Sequence, residues 1–301
     1  MSYHLPVMAQ ACIDGLVTQV DGVYVDATFG GGGHSRLILE RLGGNGRLFG
    51  FDQDEDAAAN VPQDERFQFV QHNFRYLKRF LKLYGLRKVD GILADLGVSS
   101  HQLDVPERGF SFRYDAALDM RMNQQQEETA ASLIERLSAA ELQEVFSRYG
   151  EVRNAKTLAV RLSEAKASKP IHTVGAFLSV VDPIVRGSRS RYLAQVFQAL
   201  RIAVNDEMGA LERFLQQAQE VLKPGGRLVV LSYHSLEDRM VKHFLKTGNV
   251  NGQQEKDFYG NIHRPFDVLT KKAVLPDESE ITQNPRARSA KLRIGAKKEA
   301  N

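Results

Sequence analysis

The chain has 301 residues, 43% of them apolar and 26% charged, with a formal net charge of +3. That length allows one large or two smaller globular domains with a substantial core, and so small a net charge does not by itself point to nucleic acid. Cys12 is the one cysteine, which excludes an internal disulfide and a cysteine-based zinc site. No apolar run approaches the roughly 18 residues of a membrane helix, and Asp14 interrupts an N-terminal stretch that lacks the basic start of a secretory signal. No membrane association is expected, and a cytoplasmic location is.

The first half alternates strands and helices. Val23–Asp26 is a short β-branched and aromatic run ending at an acid, followed at once by glycines, and reads as a buried strand. His34–Leu42 follows as a helix stopped by Gly43 and Gly44. Arg47–Phe51, closed by Asp52, Phe67–Val70, and Val89–Ala94, closed by Asp95, are the next strands. Short connections between such elements predict a parallel sheet covered by helices.

From about Glu107 to Arg191 only helical stretches appear, among them Ala130–Leu137, Ala140–Tyr149 with Ser138 as N-cap, and Asn154–Ala167. This span reads as a helical insertion. A long helix or helix pair, Tyr192–Leu222, leads to the turn Lys223-Pro-Gly-Gly226, which opens the strand Arg227–Leu231. Thr247–Arg264, rich in Asn, Gln and Gly, reads as a loop, and Val268–Val274 and Ala290–Ile294 as the last two strands.

Chemistry concentrates where strands end. In Asp26-Ala-Thr-Phe-Gly-Gly-Gly-Gly-His34, four glycines between strand and helix let the backbone approach a ligand, and the helix N-terminus presents free N–H groups. A dinucleotide fingerprint would use Gly30 and Gly32 but wants a third glycine where Ser35 stands. An acid at Asp26 suits a cationic sulfonium better than a pyrophosphate. Asp52, 20 residues past Gly32, is placed to accept hydrogen bonds from ribose hydroxyls, a feature of both cofactor classes. Asp54 and Asp56 read as solvent-facing.

Asp95, in Asp95-Leu-Gly-Val-Ser-Ser100, sits at the mouth of the sheet. Ser232-Tyr-His-Ser-Leu-Glu-Asp-Arg239 faces the same edge, with Ser235 as a helix cap. Its Ser-His pair lacks the nucleophile elbow of a hydrolase, so an acceptor pocket is the better reading. The histidines show no metal-ligand spacing, and no metal is expected. Arg186, Arg189 and Arg191 form one basic cluster. Arg286, Arg288, Lys291, Arg293, Lys297 and Lys298 form another, and either serves as a solvated surface or as a phosphate contact.

Read in order, His4–Val7, Tyr24–Ser35, Asp95–Asp104, Arg108–Phe112, Leu118–Met122, Tyr149–Glu151, Gln195–Asn205, Pro224–Arg227, Ser232–Arg239 and Asn284–Arg293 resemble the bacterial 16S rRNA cytosine-N4 methyltransferase H family, also called MraW. The resemblance implies a class I methyltransferase fold: an α/β, Rossmann-like domain (1–106 and 192–301) with a mostly parallel seven-stranded sheet, and a helical insertion (107–191) that recognises RNA. The implied cofactor is S-adenosylmethionine, with Gly32, Gly33 and His34 on its methionine portion, Asp52 on the ribose, Phe74 beside the adenine, and Asp95 and Gln102 completing the site. The implied partner is 16S rRNA within the small ribosomal subunit, and the implied acceptor one cytidine of the decoding region. Asp95, Ser99, Ser232 and His234 are the candidates for orienting that base. Two departures from the family pattern are visible: His101 where proline is usual, and Ala116-Ala117 in place of Gly-Pro. A monomer and a homodimer both stay open. Two competing readings are an NAD-dependent oxidoreductase, disfavoured by Ser35, and a non-enzymatic rRNA-binding assembly factor that keeps the cofactor fold.

Overall fold

A computed structural model describes residues 6–254, 256, 260 and 264–299. His4 and Leu5 of the first family-like stretch, and residues 255, 257–259 and 261–263 of the expected Thr247–Arg264 loop, lie outside the described residues.

In chain order the helices are α1 (Ala9–Leu16), α2 (Gly33–Arg41), α3 (Leu77–Leu83), α4 (Ser100–Asp104), α5 (Ala130–Arg136), α6 (Ala139–Gly150), α7 (Ala155–Ser168), α8 (Val174–Val181), α9 (Arg189–Asn205), α10 (Glu207–Val221), α11 (Ser235–Thr247) and α12 (Glu278–Gln283). The strands are β1 (Val23–Asp26), β2 (Arg47–Phe51), β3 (Phe67–Val70), β4 (Val89–Asp95), β5 (Leu222–Ser232), β6 (Phe266–Val268) and β7 (Lys291–Lys297). They form one sheet in the order β3-β2-β1-β4-β5-β7-β6. The pairings from β3 through β5 are parallel, and β7 runs antiparallel to both of its neighbours. This single reversed strand next to the edge gives the class I methyltransferase sheet that the resemblance implies.

Both faces of the sheet are apolar because both are covered, as parallel strands require. Tyr24, Leu48, Leu93 and Leu231 pack with Cys12, Ile13 and Leu16 of α1 and with Ile38 and Leu39 of α2. On β2 the alternate residues Phe49 and Phe51 instead meet Tyr84, just past the end of α3, and Phe80 within it. Each such fully buried side chain contributes about 1.5–3 kcal/mol. Tyr24 is buried without a loose polar atom: its hydroxyl donates to the Gln19 carbonyl and accepts from the N–H groups of Thr18 and Gln19.

Three strands differ from expectation, β7 by running on from Ile294 to Lys297. Leu222 already pairs with Val89, so β5 begins before the Lys223–Gly226 turn, which bulges from the ladder before Arg227 resumes opposite Gly91. Beyond β6, Thr270 takes the Ile294 N–H on its hydroxyl and the chain leaves β7, rejoining it at Val274 through a lone bridge to Leu292. The expected strand Val268–Val274 is therefore broken around Lys271 and Lys272.

The chain divides into two compact units, residues 1–97 with 209–301, and Val98–Met208. The second is helical and has its own core, in which Leu133, Leu142, Phe146, Leu158, Phe177 and Val196 are buried. Ser138 caps α6 as expected, accepting from Glu141 N–H while the Glu141 carboxylate accepts from Ser138 N–H. Helix α8, missed because its sequence is apolar all round, starts from Thr173, whose hydroxyl accepts from Ala176 N–H at 3.1 Å. Met120 adopts a positive φ of 62°, and the loop around it is clasped by buried Asn205. The Asn205 amide oxygen accepts from Met122 N–H at 2.7 Å, and its amino group donates to the carbonyls of Met120 and Arg201. Asn205→Leu strands the Met122 N–H and the Met120 carbonyl, and is expected to cost about 2–4 kcal/mol. Urea unfolding measures this; a loss under about 0.5 kcal/mol contradicts it.

Candidate cofactor site

The carboxyl ends of β1, β2 and β4 bring Asp26, Asp52 and Asp95 to one edge of the sheet, because the parallel register aligns Asp26 with Gly50 and Leu93. Between β1 and α2 the glycine turn is anchored at both of its backbone faces. Asp52 Oδ2 accepts from Gly30 N–H at 2.7 Å, and the Asn60 amide donates to the Gly30 carbonyl at 3.1 Å. Gly30 and Gly32 have φ of 48° and 72°, conformations that favour glycine. A Cβ on Gly31 would meet nothing within 4 Å, whereas one on Gly33 would press on the Pro6 ring at 3.2 Å. The turn is thus packed on one side and open at Gly31. Gly32 stands at the N-cap of α2 and supplies no side-chain cap. The first N–H groups of that helix lack intrahelical acceptors and are suited to a carboxylate or other anion.

Asp26 plays a different part from the one expected. It is 1% exposed, with Oδ2 accepting from the Ser35 hydroxyl at 2.7 Å and Oδ1 from Thr28 N–H at 3.1 Å. Its carboxylate shapes the turn instead of facing a ligand. Burial raises its pKa, opposed by His34 and by these hydrogen bonds. Ser35, which interrupts the dinucleotide pattern, is the residue that ties α2 to β1; a glycine there would leave Asp26 without that donor.

Asp52 accepts a second backbone N–H, that of Asp54, at 2.8 Å. Burial pushes its pKa up to about 6, against these two hydrogen bonds. Asp54 is buried, not solvent-facing as expected: its carboxylate caps the short helical turn Glu55–Asn60 by accepting from Asp56 N–H. Asp56 is exposed as expected. Phe74 begins the turn Phe74–Tyr76 and packs edge-on against Phe214 of α10, ring centroids 5.1 Å apart.

His34 is 6% exposed. Its Nε2 is 3.0 Å from the Val7 carbonyl, which can only accept, so this nitrogen carries the proton; Nδ1 is 3.7 Å from Asp95 Oδ2. Asp95 Oδ1 accepts from the Tyr233 hydroxyl at 2.7 Å, and Asp95 N–H donates to Thr28 Oγ1 at 2.7 Å. Burial raises the pKa of Asp95 and that of Tyr233, the latter helped by the neighbouring Asp95 carboxylate.

Of the base-orienting candidates, Ser232 is buried with its hydroxyl 3.4 Å from the Lys291 carbonyl of β7. His234, and not Ser235, caps α11: its Nδ1 accepts from Glu237 N–H at 3.4 Å, while Glu237 Oε2 accepts from the N–H groups of Tyr233 and His234. Its Nε2 lies 3.0 Å from Glu237 Oε1. Ser99 and Gln102, in the helical unit, form the capping box of α4, Ser99 Oγ accepting from Gln102 N–H and Gln102 Oε1 from Ser99 N–H, both at 3.1 Å.

Arg186, Arg189 and Arg191 are exposed around the start of α9, with Arg189 in a two-pronged pair with Asp182. Arg286 and Arg288 lie on the short helical turn Pro285–Ser289. Arg293 and Lys291 of the same basic run are engaged with Asp238 of α11, which holds the Asp238 carboxyl below its usual range despite partial burial. No described helix is long and apolar enough to cross a membrane. Asn60, Thr28 and Tyr233 are polar residues around Asp52 and Asp95 that sequence reasoning gave no role, and Ser35 was read only for its place in the glycine pattern, not as the donor to Asp26.

The model of one family, described as the MraW methylase family, matches residues 1–298. The ribosomal RNA small subunit methyltransferase H of Parabacteroides distasonis is 55% identical, over 98% of this chain and 97% of its own. Proteins of the same name from Bacteroides thetaiotaomicron and Flavobacterium johnsoniae are each 54% identical, over 99% of this chain and 98% of theirs.

Proposed function

The chain belongs to the MraW methylase family, and from that membership and the site we propose that it transfers the methyl group of S-adenosylmethionine to the N4 amine of a cytidine in the decoding region of 16S rRNA. The relatives' name, with its ribosomal RNA and small subunit, supports the acceptor class. The observation that carries the donor is the open glycine turn beside Asp52. A Cβ-free wall at Gly31, an uncapped helix N-terminus and a carboxylate at the next strand end match a nucleoside bearing an amino acid.

When bound, S-adenosylmethionine supplies a sulfonium methyl open to in-line attack by an amine. The backbone of Gly32, Gly33 and His34 would receive the methionine carboxylate, and Asp52 would accept from the ribose hydroxyls. Phe74 would contact the adenine side, and Asp95 the methionine end. Gln102 is assigned to the cofactor by the family resemblance alone. The N4 lone pair of cytosine is conjugated with the ring, so the protein's task is orientation and localisation of that pair, with no covalent enzyme intermediate. The target base must be unpaired or flipped to be reached. Asp95, Ser99, Ser232 and His234 remain the groups proposed to orient it, each of them also engaged in contacts within the protein.

Titration with S-adenosylmethionine and with NAD tests the donor: binding of the first and none of the second is expected, and the reverse overturns the reading. The helical unit and the basic clusters are proposed to grip folded RNA within the small subunit, phosphate contacts positioning and the pocket specifying. Replacing Arg186, Arg189 and Arg191 together by Gln is expected to weaken rRNA binding and reduce the slope of log K against log salt by about 2. An unchanged slope removes the cluster from the interface.

A further inference from the structure

Asp95 is held on every side by groups that are themselves held. Tyr233 donates its hydroxyl to Oδ1 at 2.7 Å, and the backbone N–H of Tyr233 is fixed in turn on Glu237 Oε2 at 2.8 Å. His34, anchored on the Val7 carbonyl, faces Oδ2, and Thr28 takes the Asp95 N–H. The chain leaves β4 through Gly97, whose φ is 100°, and a Cβ there would touch the Tyr233 ring at 3.5 Å. The ring therefore lies along the turn out of β4 while its hydroxyl reaches the carboxylate at the strand's end.

We propose that Tyr233 is a positioning residue for the methyl-donor site: its hydroxyl fixes the Asp95 carboxylate in the orientation that meets the donor's methionine end. This rests on the reading that Asp95 contacts S-adenosylmethionine. Tyr233 acts through Asp95 and not on the donor, because its hydroxyl proton is already given to Oδ1.

The consequence has a sign. An ionised Asp95 is the form that attracts the donor's ammonium group. The titratable groups facing it are His34 from α2, Tyr233 at the end of β5, Asp26 from β1, Glu237 from α11 and Cys12 from α1. Burial raises the proton affinity of Asp95, while His34 and the Tyr233 hydrogen bond hold it down. Removing the hydroxyl removes one of those restraints, so the carboxylate protonates at higher pH and donor affinity declines earlier on acidification.

The test is isothermal titration of wild type and Tyr233→Phe with S-adenosylhomocysteine across about pH 5 to 8.5, repeated with both forms carrying Asp95→Asn. The expected result is an affinity lower by about three- to tenfold near pH 8, where the orientation alone is lost, together with an acidic decline whose midpoint moves up by about half to one pH unit. In the Asp95→Asn background the residual decline, which Asp52 supplies, does not move on adding Tyr233→Phe. An unmoved midpoint overturns the proposal, as does an equal loss at every pH or the same shift without Asp95. A wild-type protein that does not bind S-adenosylhomocysteine overturns the donor reading, and this proposal with it.

Discussion

Asp52→Ala is expected to weaken S-adenosylmethionine binding by roughly two to three orders of magnitude. In the proposed site the carboxylate is a charged acceptor for the ribose, and two hydrogen bonds to a charged group at about 1.5–3 kcal/mol each, less their overlap, sum to about 3–4 kcal/mol. At about 1.4 kcal/mol per tenfold, that is the stated loss. The same side chain also accepts the N–H groups of Gly30 and Asp54, so part of the effect comes from a loosened turn. Asp52→Asn separates the two parts, since its single amide oxygen keeps one internal bond and the negative charge is gone. Calorimetry at about pH 8 is the right condition, because burial lifts the Asp52 pKa to about 6 and the acid is ionised there. Binding of the alanine variant within threefold of wild type would remove Asp52 from the site.

A substitution two glycines into the turn gives an effect of similar size by another route. Gly32 has φ of 72°, and a Cβ there would stand 3.0 Å from the Phe29 ring and 3.4 Å from the Asn60 carbonyl. A β-branched residue is a backbone outlier at such an angle, at a cost of about 1–2 kcal/mol before any clash. Gly32→Val is therefore expected to lower stability by about 2–3 kcal/mol, and cofactor affinity by more than about a hundredfold as the α2 N-terminus tilts. Gly31→Ala is the control. Its φ is not positive and its Cβ meets nothing within 4 Å, so thermal unfolding should not change, while donor affinity falls if the ligand passes over Gly31. Unaltered affinity in both variants would show that the turn does not hold the cofactor.

The framework of this site was legible because it is written in local signals. Apolar β-branched or aromatic runs ending in Asp26, Asp52 and Asp95, with glycines or short loops after them, mark strand ends, and in a parallel sheet all strand ends on one edge share one site. What escaped was the contact between distant residues. Nothing in the local sequence says that Ser35 donates to Asp26, that Asn60 reaches back to the Gly30 carbonyl, or that Tyr233 meets Asp95 across a separation of 138 residues. Asp26 itself was read for its charge, but full burial turned that charge inward. The same holds for Arg293: in sequence it is one of a row of basic residues, in the fold it is buried against Asp238. The edge strand β3 was legible to its exact bounds, whereas the other edge strand, β6, was the least legible. The run from Phe266 to Val274 pairs only where β7 offers free positions, so its limits were set by the partner strand and by Thr270, not by its own composition.

The central claim, methyl transfer to the N4 amine of a 16S rRNA cytidine, is tested most directly by mass spectrometry. Small-subunit rRNA from cells lacking this protein is compared with rRNA from the complemented strain, and the unmodified subunits are incubated with the purified protein and S-adenosylmethionine carrying a deuterated methyl. The account predicts that one decoding-region cytidine loses its N4-methyl group in the deletion strain, recovers it on complementation, and gains the deuterated methyl at N4 in vitro. A methyl group found on the ring carbon, on the ribose or on another base, or rRNA identical in the two strains, would contradict it.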